Sequence, residues 1–305
     1  MSQYSNFRVD LKNNNSTWTK VFNMIKSDTV ILDIGCSSGY FDNELVTKKN
    51  CTVDGFELDK SDAEKASKVC RKVTNENIEE YIFNNDDHGK YDYILFLDVL
   101  EHLIDPVKTL QKCKKILKKN GEIIFSIPNM AHASIRLELL NGSFKYEDEG
   151  LLDRTHLHFY EKRTIQELVY SAGYKFTSSE SVIRDISPKV IDDLLKSVGL
   201  MPTNKFYDYL SNEEAMTYQY VCKISPSTSK RKAPKVDNKF KPVNLYEEQV
   251  VELKKEIEKI HKYYLESEKQ RQILLDENTK IKNMIKKIDI LRLHKVIKKL
   301  KSKNG

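Results

Sequence analysis

The feature that most constrains this chain is the run of residues 30–41, VILDIGCSSGYF. Its first five residues are apolar apart from Asp33, and such a run is typical of a buried strand. A short loop with Gly35 and Gly39 follows, and a helix is predicted to begin near Phe41. Because glycine carries no Cβ and tolerates positive φ, the backbone of this loop can come close to a bound ligand.

A second acidic residue, Glu57, stands at the end of the next predicted strand, 24 residues after Asp33. A glycine-rich turn followed by an acid about 20 residues later is the nucleotide-binding pattern of doubly wound sheets, in which the carboxylate takes the ribose hydroxyls. The pattern departs from the dinucleotide fingerprint, because Ser37 replaces the middle glycine and Asp33 precedes the turn. Another kind of doubly wound nucleotide binder is the alternative.

Apolar runs alternate with helical patterns, which predicts a doubly wound α/β fold with a seven-stranded, mostly parallel, Rossmann-like sheet. The strands are predicted near residues 29–34, 52–57, 79–83, 92–97, 122–127, 175–184 and 216–224. Helices are predicted at 62–73, 106–118, 162–172 and 188–200. Gly121 is expected to cap the second of these helices, and Gly173 the third.

Four segments, residues 33–39, Glu57, 92–103 and 117–129, resemble the motifs of class I S-adenosylmethionine-dependent methyltransferases in their order and spacing. The resemblance extends over residues 18–224 and implies S-adenosylmethionine as the cofactor. It implies that the glycine loop and Asp33 hold the methionine part, that Glu57 holds the ribose, and that Asp86 or Asp87 lies near the adenine. The predicted cofactor-binding residues are Asp33, Gly35, Cys36, Gly39, Glu57, Asp86 and Asp98.

Two clusters of polar side chains follow the fourth and fifth strands, where the reactive pocket of an open α/β sheet lies. Asp98, Glu101 and His102 follow the fourth strand, and residues 153–160, DRTHLHFY, follow the fifth. In a helix beginning at residue 98, the side chains of Asp98, Glu101 and His102 project from one face. Two carboxylates and an imidazole, with a histidine from the other loop, suit a divalent cation or a general base, and so transfer to oxygen. Purely structural roles for Glu101 and His102 are the alternative.

This arrangement is similar to that of ubiquinone-pathway O-methyltransferases and of small-RNA 3′-end 2′-O-methyltransferases. The resemblance implies that His102 and His156 are catalytic and that Glu101, His102 and His156 are ligands of Mg²⁺ or Mn²⁺, although His158 could replace His156. Asp98 is one methylene shorter than the glutamate of those families.

The 153–160 string, continued to residue 173, most closely resembles methyltransferases found with bacterial surface-glycan glycosyltransferases. The implied acceptor is a hydroxyl of a cell-surface glycan or its lipid-linked precursor, and the implied partner is a glycosyltransferase. A quinone precursor and an RNA 3′ end are the alternative acceptors.

Charge is unevenly distributed along the chain. Residues 226–305 carry 22 Lys and Arg against 11 Asp and Glu, whereas residues 1–225 carry 29 against 34. A broad nucleic-acid footprint on the body is therefore not expected, since polyanion binding rests on clustered Lys and Arg. We divide the chain into a methyltransferase domain (1–225), a flexible basic linker (226–244), a coiled coil (245–288) and a basic amphipathic helix (289–305).

The predicted coiled coil has aliphatic residues at eight of its twelve seam positions. Asn278 at an a position favours a two-stranded register, so a homodimer is expected and a trimer is the alternative. The last helix combines an apolar stripe with lysines, a pattern that indicates membrane-surface binding; further helix packing or a partner groove is the alternative. The seam is Val250, Leu253, Ile257, Ile260, Tyr264, Ser267, Arg271, Leu274, Asn278, Ile281, Ile285 and Ile288.

The five cysteines show no paired spacing, and the sequence has neither a signal-peptide pattern nor an apolar run of about 20 residues. These features predict a cytoplasmic protein, with contact to the inner face of the membrane through the last helix. The non-enzyme alternative is a degenerate methyltransferase module that serves as a coiled-coil scaffold, but the intact glycine loop and Glu57 argue against it.

Overall fold

The computed structural model describes residues 9–227 and 242–301, and within the last helix the side chains of residues 255, 257, 259–284, 286 and 287. The chain divides into two compact units, Met1–Pro234 and Lys235–Gly305. In chain order the elements are α1 Thr17–Met24, β1 Val30–Ile34, α2 Tyr40–Lys49, β2 Thr52–Phe56, α3 Lys60–Ala66, β3 Lys72–Thr74, β4 Tyr91–Leu97, α4 Pro106–Cys113, β5 Leu117–Pro128, α5 Ala133–Leu140, α6 Lys162–Ser171, β6 Tyr174–Ile183, α7 Pro188–Ser197, α8 Asn204–Leu210, α9 Glu213–Met216, β7 Thr217–Pro226 and α10 Pro242–Lys301, with 3₁₀ helices at Asn85–Asp87 and Leu100–His102.

The first unit contains one seven-stranded sheet with the strand order β3-β2-β1-β4-β5-β7-β6. β1 to β5 are parallel, and β7 inserts antiparallel between β5 and β6. The predicted seven-stranded, mostly parallel Rossmann-like sheet is therefore confirmed. Because the first five strands run the same way, the loops after β1, β2, β4 and β5 all lie at one edge of the sheet.

Both faces of the sheet are covered, which explains why its central strands read as continuous apolar runs. Successive side chains of a strand point to opposite faces. In β4, Ile94 and Phe96 accordingly pack into one core with α4 and α6. Tyr93 and Leu95 pack into the other core, with α1 and α2.

The prediction of a third strand at 79–83 was wrong, and the helix predicted over 62–73 is shorter than expected. α3 ends at Ala66, and the third strand is the short Lys72–Thr74, paired in parallel with β2. The apolar side chains of the 79–83 segment pack without strand pairing. The rings of Tyr81 and Phe83 lie edge-on to Phe56, with centroids 4.9 and 6.1 Å away. An apolar run can thus cover the end of a sheet without joining it.

The predicted helix 106–118 is also shorter than expected, and Gly121 does not cap it. α4 ends at Cys113, and Gly121 lies inside β5. The pairing of β5 with β4 is irregular here: Leu117 pairs with Tyr91, and Glu122 with Tyr93. A Cβ on Gly121 would come within 2.8 Å of the Tyr91 carbonyl oxygen, so glycine is needed for close packing rather than for a helix end.

The later helices agree better with the sequence. α6 ends one residue before Ala172, and Gly173 follows with φ +74°, the left-handed conformation of a helix C-terminus. α7 begins at Pro188, as predicted, with Ser187 as its N-cap. Together with α5 and α8, α7 forms a small separate apolar core in the insertions after β5 and β6.

The second unit is described as one helix, α10, whose 60 residues include the predicted coiled-coil segment. The coiled-coil pairing itself stays a prediction. Most of the predicted linker and the side chains of the predicted amphipathic segment (289–305) lie outside the described residues. Among the helices that the structure describes, none has the length and apolar character needed to cross a membrane.

Candidate active site

The glycine loop lies at the edge of the sheet where β1 and β2 end. The amide groups of Gly35 and Cys36 donate to the carbonyl of Phe56, at 2.8 and 3.1 Å, and bind the loop to the end of β2. Gly35 and Gly39 have φ of +79° and +77°, and Ser37 between them has +48°. A Cβ on Gly35 would lie 2.6 Å from Val99, so the segment after β4 passes directly over the loop. These positive φ values require glycine at both ends of the loop.

Glu57 follows β2 and is tied to the same loop. One carboxylate oxygen accepts the amide N–H of Ser37 at 2.8 Å, and the other accepts that of Asp59 at 2.8 Å. The half-buried carboxylate thus sits at the carboxyl edge, in the position predicted for the ribose. The Cys36 side chain is buried beneath Gly55 and faces the core, so this residue can offer a ligand only its backbone.

Asp33 forms a buried acid pair with Asp42 behind the loop. Both side chains are buried, and one oxygen of each has no hydrogen-bond partner among the described residues. Burial, reinforced by the Asp42 carboxylate, raises the pKa of Asp33 well above its usual range. Burial also raises the pKa of Asp42 to about 6, although Asp33 and the Cys70 thiol, 3.4 Å away, donate to it. Asp33 therefore supports the loop from within rather than facing its surface.

Asp86 does not lie at this edge. It belongs to the 3₁₀ helix Asn85–Asp87, just before the amino end of β4. Asp87 lies there as well and pairs with Lys90 at 3.7 Å. Because β1 and β4 are parallel, that end is at the edge opposite the glycine loop. The misplacement follows from the wrong third strand. Asn75, directly after the true β3, is at the cofactor edge and donates to the carbonyl of Glu57 at 2.6 Å.

Asp98 stands directly after β4, in the wall of the candidate site. Its carboxylate accepts hydrogen bonds from Ser126 at 2.8 Å and from Gln219, and its amide donates to Ser126. Burial raises the pKa of Asp98, against the effect of these two donors. Ser126 and Gln219 were missed from the sequence. Ser126, a hydroxyl inside the apolar run of β5, was a detectable signal, whereas Gln219 reaches the site only because β7 is antiparallel.

Asp98, Glu101 and His102 do not share one face of a helix, as the sequence predicted. Asp98 has φ +56°, and only Leu100–His102 form a short 3₁₀ helix. Asp98 precedes this turn and Glu101 lies within it, with its side chain buried, so the two carboxyl groups do not project from a common helix face. The structure instead brings Glu101 together with His102 and His156, one donor atom of each lying within 4.8 Å of the others.

The loop that carries His156 and His158 is bound to the Leu100–His102 turn by main-chain hydrogen bonds. The Glu101 carbonyl accepts the N–H groups of Leu157 and His158, at 2.9 and 3.1 Å. His156 Nε2 lies 4.0 Å from a Glu101 carboxylate oxygen, whereas His158 Nε2 lies 3.4 Å from the carbonyl of Ile104. Of the two histidines that the sequence left open, His156 is therefore the one beside Glu101.

Each histidine of the pair is oriented by its Nδ1 atom. His102 Nδ1 lies 3.2 Å from the Thr155 carbonyl oxygen and 3.1 Å from the Thr155 hydroxyl. His156 Nδ1 lies 3.3 Å from the carbonyl oxygen of Leu151. A backbone carbonyl on Nδ1 fixes the tautomer with Nε2 unprotonated, which is the form that binds a metal or takes a proton.

Burial shifts the pKa values of Glu101 and His156 so that the neutral form of each side chain is favoured. Burial, followed by the nearby Asp98 carboxylate, raises the pKa of Glu101 well above its usual range. Burial, followed by the neighbouring His102, lowers the pKa of His156. Neither Glu101 carboxylate oxygen has a hydrogen-bond partner among the described residues. A buried carboxylate without a partner is costly, so this arrangement suits either a bound cation or a shared proton.

The donor set could hold a divalent cation if its side chains moved closer together. Neighbouring ligands of an octahedral ion at about 2.1 Å lie about 3.0 Å apart. The three donor atoms here lie within 4.8 Å of one another, so a shift of up to about 1 Å by each side chain would close the set. Two imidazoles with one carboxylate suit Mn²⁺ better than Mg²⁺, which prefers oxygen ligands.

Comparison with known proteins agrees with the fold of the first unit. Residues 11–179 match the family model described as "Methyltransferase domain". A SAM-dependent methyltransferase from Archaeoglobus fulgidus shares the fold, with a TM-score of 0.51, 17% identity, and coverage of 72% of this chain and 96% of that one. The fold and its glycine loop define a class I S-adenosylmethionine-dependent methyltransferase, as the motifs predicted. This chain belongs to the methyltransferase domain family.

Curated relatives match over a shorter stretch. The chain is similar to the ubiquinone biosynthesis O-methyltransferase of Actinobacillus pleuropneumoniae, with 29% identity over 126 residues, 37% of this chain and 52% of the relative. It is 30% identical over 105 residues to the enzyme of the same description from Vibrio parahaemolyticus, 32% of this chain and 43% of the relative. The chain thus spans about half the length of the curated relatives that it matches.

Proposed function

We propose that this protein transfers a methyl group from S-adenosylmethionine to a hydroxyl group of a saccharide acceptor, a cell-surface glycan or its lipid-linked precursor. The observation that carries the proposal is the buried carboxylate of Glu101, which faces His156 at 4.0 Å and has no hydrogen-bond partner within residues 9–227. It lies two residues from Val99, which packs over Gly35 of the glycine loop. Proton-handling groups and the cofactor edge are therefore neighbours.

The residues at the glycine loop fit S-adenosylmethionine. When bound, this cofactor supplies an electrophilic methyl group. Glu57 would hold the ribose hydroxyls, and the backbone from Gly35 to Gly39 would hold the methionine part. Leu58, an exposed apolar side chain beside Glu57, would cover the adenine. The pairing of Asp98 with Gln219 would bound the site on the side of β7.

The protein's own contribution to the chemistry lies in orienting the acceptor and handling its proton. The lowered pKa of His156 keeps its imidazole neutral near pH 7, so Nε2 can accept the hydroxyl proton. Glu101, 4.0 Å from His156 Nε2, would in its ionised form stabilise the imidazolium that forms. The same three side chains fit a divalent cation, which would supply Lewis acidity to the hydroxyl. In either case the site would assist transfer to oxygen, because removing or masking the hydroxyl proton helps the oxygen attack the methyl group.

Two acceptors remain as alternatives to the saccharide. The curated relatives are named for ubiquinone biosynthesis, which favours a phenolic quinone precursor. An RNA 3′ end has less support, because residues 1–225 carry more acidic than basic side chains. The saccharide is supported by the resemblance of residues 153–173 to methyltransferases found with surface-glycan glycosyltransferases.

We further propose that α10 joins two copies of the chain. The seam side chains Ile257, Ile260, Leu274 and Ile281 are between 53% and 65% exposed on this helix. Burying such a seam against a second helix is what stabilises a long amphipathic helix in water. A coiled-coil homodimer would leave the basic end of the chain available to the inner face of a membrane, beside a glycosyltransferase partner.

Titration of S-adenosylhomocysteine into the full chain tests the proposed function. The wild type should bind with micromolar affinity, and Glu57→Ala and Glu57→Gln about tenfold more weakly or worse, since hydrogen bonds to a charged group are lost. Glu64→Ala, an exposed acid on α3, is the matched control and should bind like the wild type. Absence of binding by the wild type, with or without Mg²⁺ or Mn²⁺, would leave the scaffold alternative.

A further inference from the structure

Three exposed aromatic rings stand beside the histidine pair. Phe144, Tyr146 and Phe159 are 44%, 50% and 39% exposed. The ring centroid of Phe144 lies 5.6 Å from that of Tyr146 and 6.1 Å from that of Phe159. The Phe159 ring in turn lies 6.5 Å from that of His156. We refer to Phe144, Tyr146 and Phe159 as the aromatic platform. Clustered exposed rings beside a reactive site indicate a ligand surface rather than chance exposure.

The backbone that carries the platform is held in place. Ser143 N–H donates to the carbonyl of Glu138 at 2.9 Å, which fixes the exit from α5. Glu147 N–H donates to the carbonyl of Leu152 at 2.9 Å, and the Glu147 carbonyl accepts from Arg154. With the bonds from the 157–158 amides to Glu101, the platform is connected to the turn that holds the candidate catalytic groups. The rings are thus positioned before any ligand arrives, which lowers the entropic cost of binding.

The geometry of the rings restricts what can cover them. Phe144 makes interplanar angles of 84° with Tyr146 and 82° with Phe159. A flat phenol can lie face-on to only one of two perpendicular rings and meets the other with its edge. A chair-shaped pyranose presents C–H groups in more than one direction, and these weakly positive hydrogens suit the negative faces of aromatic rings. The same ring carries hydroxyls on its rim, where His156 would meet them.

We propose that the aromatic platform is the acceptor subsite, and that it binds a pyranose ring of a larger saccharide. The proposal rests on the proposed function, because it uses His156 to receive the hydroxyl. The partial exposure of all three rings leaves room for the saccharide to continue beyond the bound residue. The platform thereby selects the class of acceptor, and Glu101 with His156 selects the hydroxyl.

Saturation-transfer NMR on the full chain with S-adenosylhomocysteine present tests this subsite. The probes are the methyl glycosides of glucose, mannose and galactose, with catechol as the flat aromatic probe. We expect saturation transfer to at least one glycoside, reduced about fivefold or more in Phe144→Ala and Phe159→Ala. Phe144→Tyr keeps a ring and should retain binding. Met201→Ala, an exposed apolar residue after α7, is the matched control and should bind like the wild type.

Titration of S-adenosylhomocysteine into each variant separates the two proposals. If the wild type binds this nucleoside and a glycoside, and only the platform variants lose the glycoside, the subsite is supported. If the nucleoside binds while no glycoside does, or all variants bind glycosides equally, or only catechol binds, the subsite is overturned, whereas the use of S-adenosylmethionine survives; binding of catechol alone would also favour the quinone precursor as the acceptor. If the nucleoside does not bind to the wild type, both proposals are overturned.

Discussion

The buried acid pair behind the glycine loop predicts an unusual pH dependence of stability. The pKa of Asp42 is raised from an ordinary value of 3.8 to about 6, because its carboxyl is fully buried. The folded state therefore binds a proton more tightly than the unfolded state. Between pH 3.8 and 6 the native protein carries more protons, so its free energy of unfolding falls as the pH rises. Above pH 6 the loss is complete and constant.

The magnitude follows from the shift in pKa. Roughly two pKa units at 1.36 kcal/mol each amount to about 3 kcal/mol of stability lost between pH 3.8 and 6. Asp42→Asn keeps the shape of the side chain and cannot ionise. Its amide can also donate to Asp33, whose pKa is raised by burial and by Asp42. We therefore expect this variant to be more stable than the wild type by up to about 3 kcal/mol at pH 7.5 and nearly equal to it at pH 4.

Urea unfolding followed by tryptophan fluorescence measures this difference in stability for the first unit of the chain, which contains Asp33 and Asp42. The chain has one tryptophan, Trp18, and its ring contacts Tyr40 and Phe41 at the start of α2. The signal therefore reports on the unit that contains the acid pair. Asp208→Asn, at an exposed position on α8, is the control and should follow the wild type at every pH. A difference between Asp42→Asn and the wild type that is the same at pH 4 and pH 7.5 would refute the reasoning.

Three further predictions concern other parts of the chain. Burial alone would raise the pKa of Asp54, but hydrogen bonds from Arg71, Lys90 and Tyr91 hold it below its usual value. Asp54→Asn should therefore cost about 2 kcal/mol at pH 7, in urea unfolding, and the gap to the wild type should close as the pH falls below about 4. Glu101→Gln should weaken Mn²⁺ binding, measured by calorimetry on the full chain, about tenfold or more, whereas His158→Gln should leave it unchanged; equal affinities in both variants would contradict the metal site. Leu274→Lys should raise the dimer dissociation constant at least about a hundredfold in analytical ultracentrifugation, while Asn283→Lys on the outer face of the helix should not; a wild-type monomer would contradict the dimer.

The sequence predicted the arrangement of β1, the glycine loop and β2 well, because the signals for these elements are local. The apolar strand before Gly35, the positive-φ glycines and the acid at the end of β2 are all determined within a few residues of one another. Glu57 accordingly lies at the edge of the sheet where the sequence placed it. The helix that ends before Gly173 was predictable for the same reason.

The errors arose where residues distant in sequence decide the outcome. The 79–83 segment has the composition of a strand, but its aromatic rings pack on Phe56. The short β3 pairs with β2 at the edge of the sheet instead. Asp86 was misplaced as a consequence. The grouping of Glu101 with His156 depends on main-chain bonds between two loops about 55 residues apart, and Gln219 reaches Asp98 only through the antiparallel β7. No spacing rule within one segment contains this information.

The interior position of β7 has a consequence for how the chain is made. β7 is the last strand of the sheet, and it pairs with β5 on one side and β6 on the other. The edge of β5 that contains Ile123 therefore stays open until Ile224 of β7 pairs with it. In this seven-stranded sheet, β6 has no neighbour other than β7. A nascent chain that has not yet released residue 226 from the ribosome exposes an open strand edge, which is a site of aggregation.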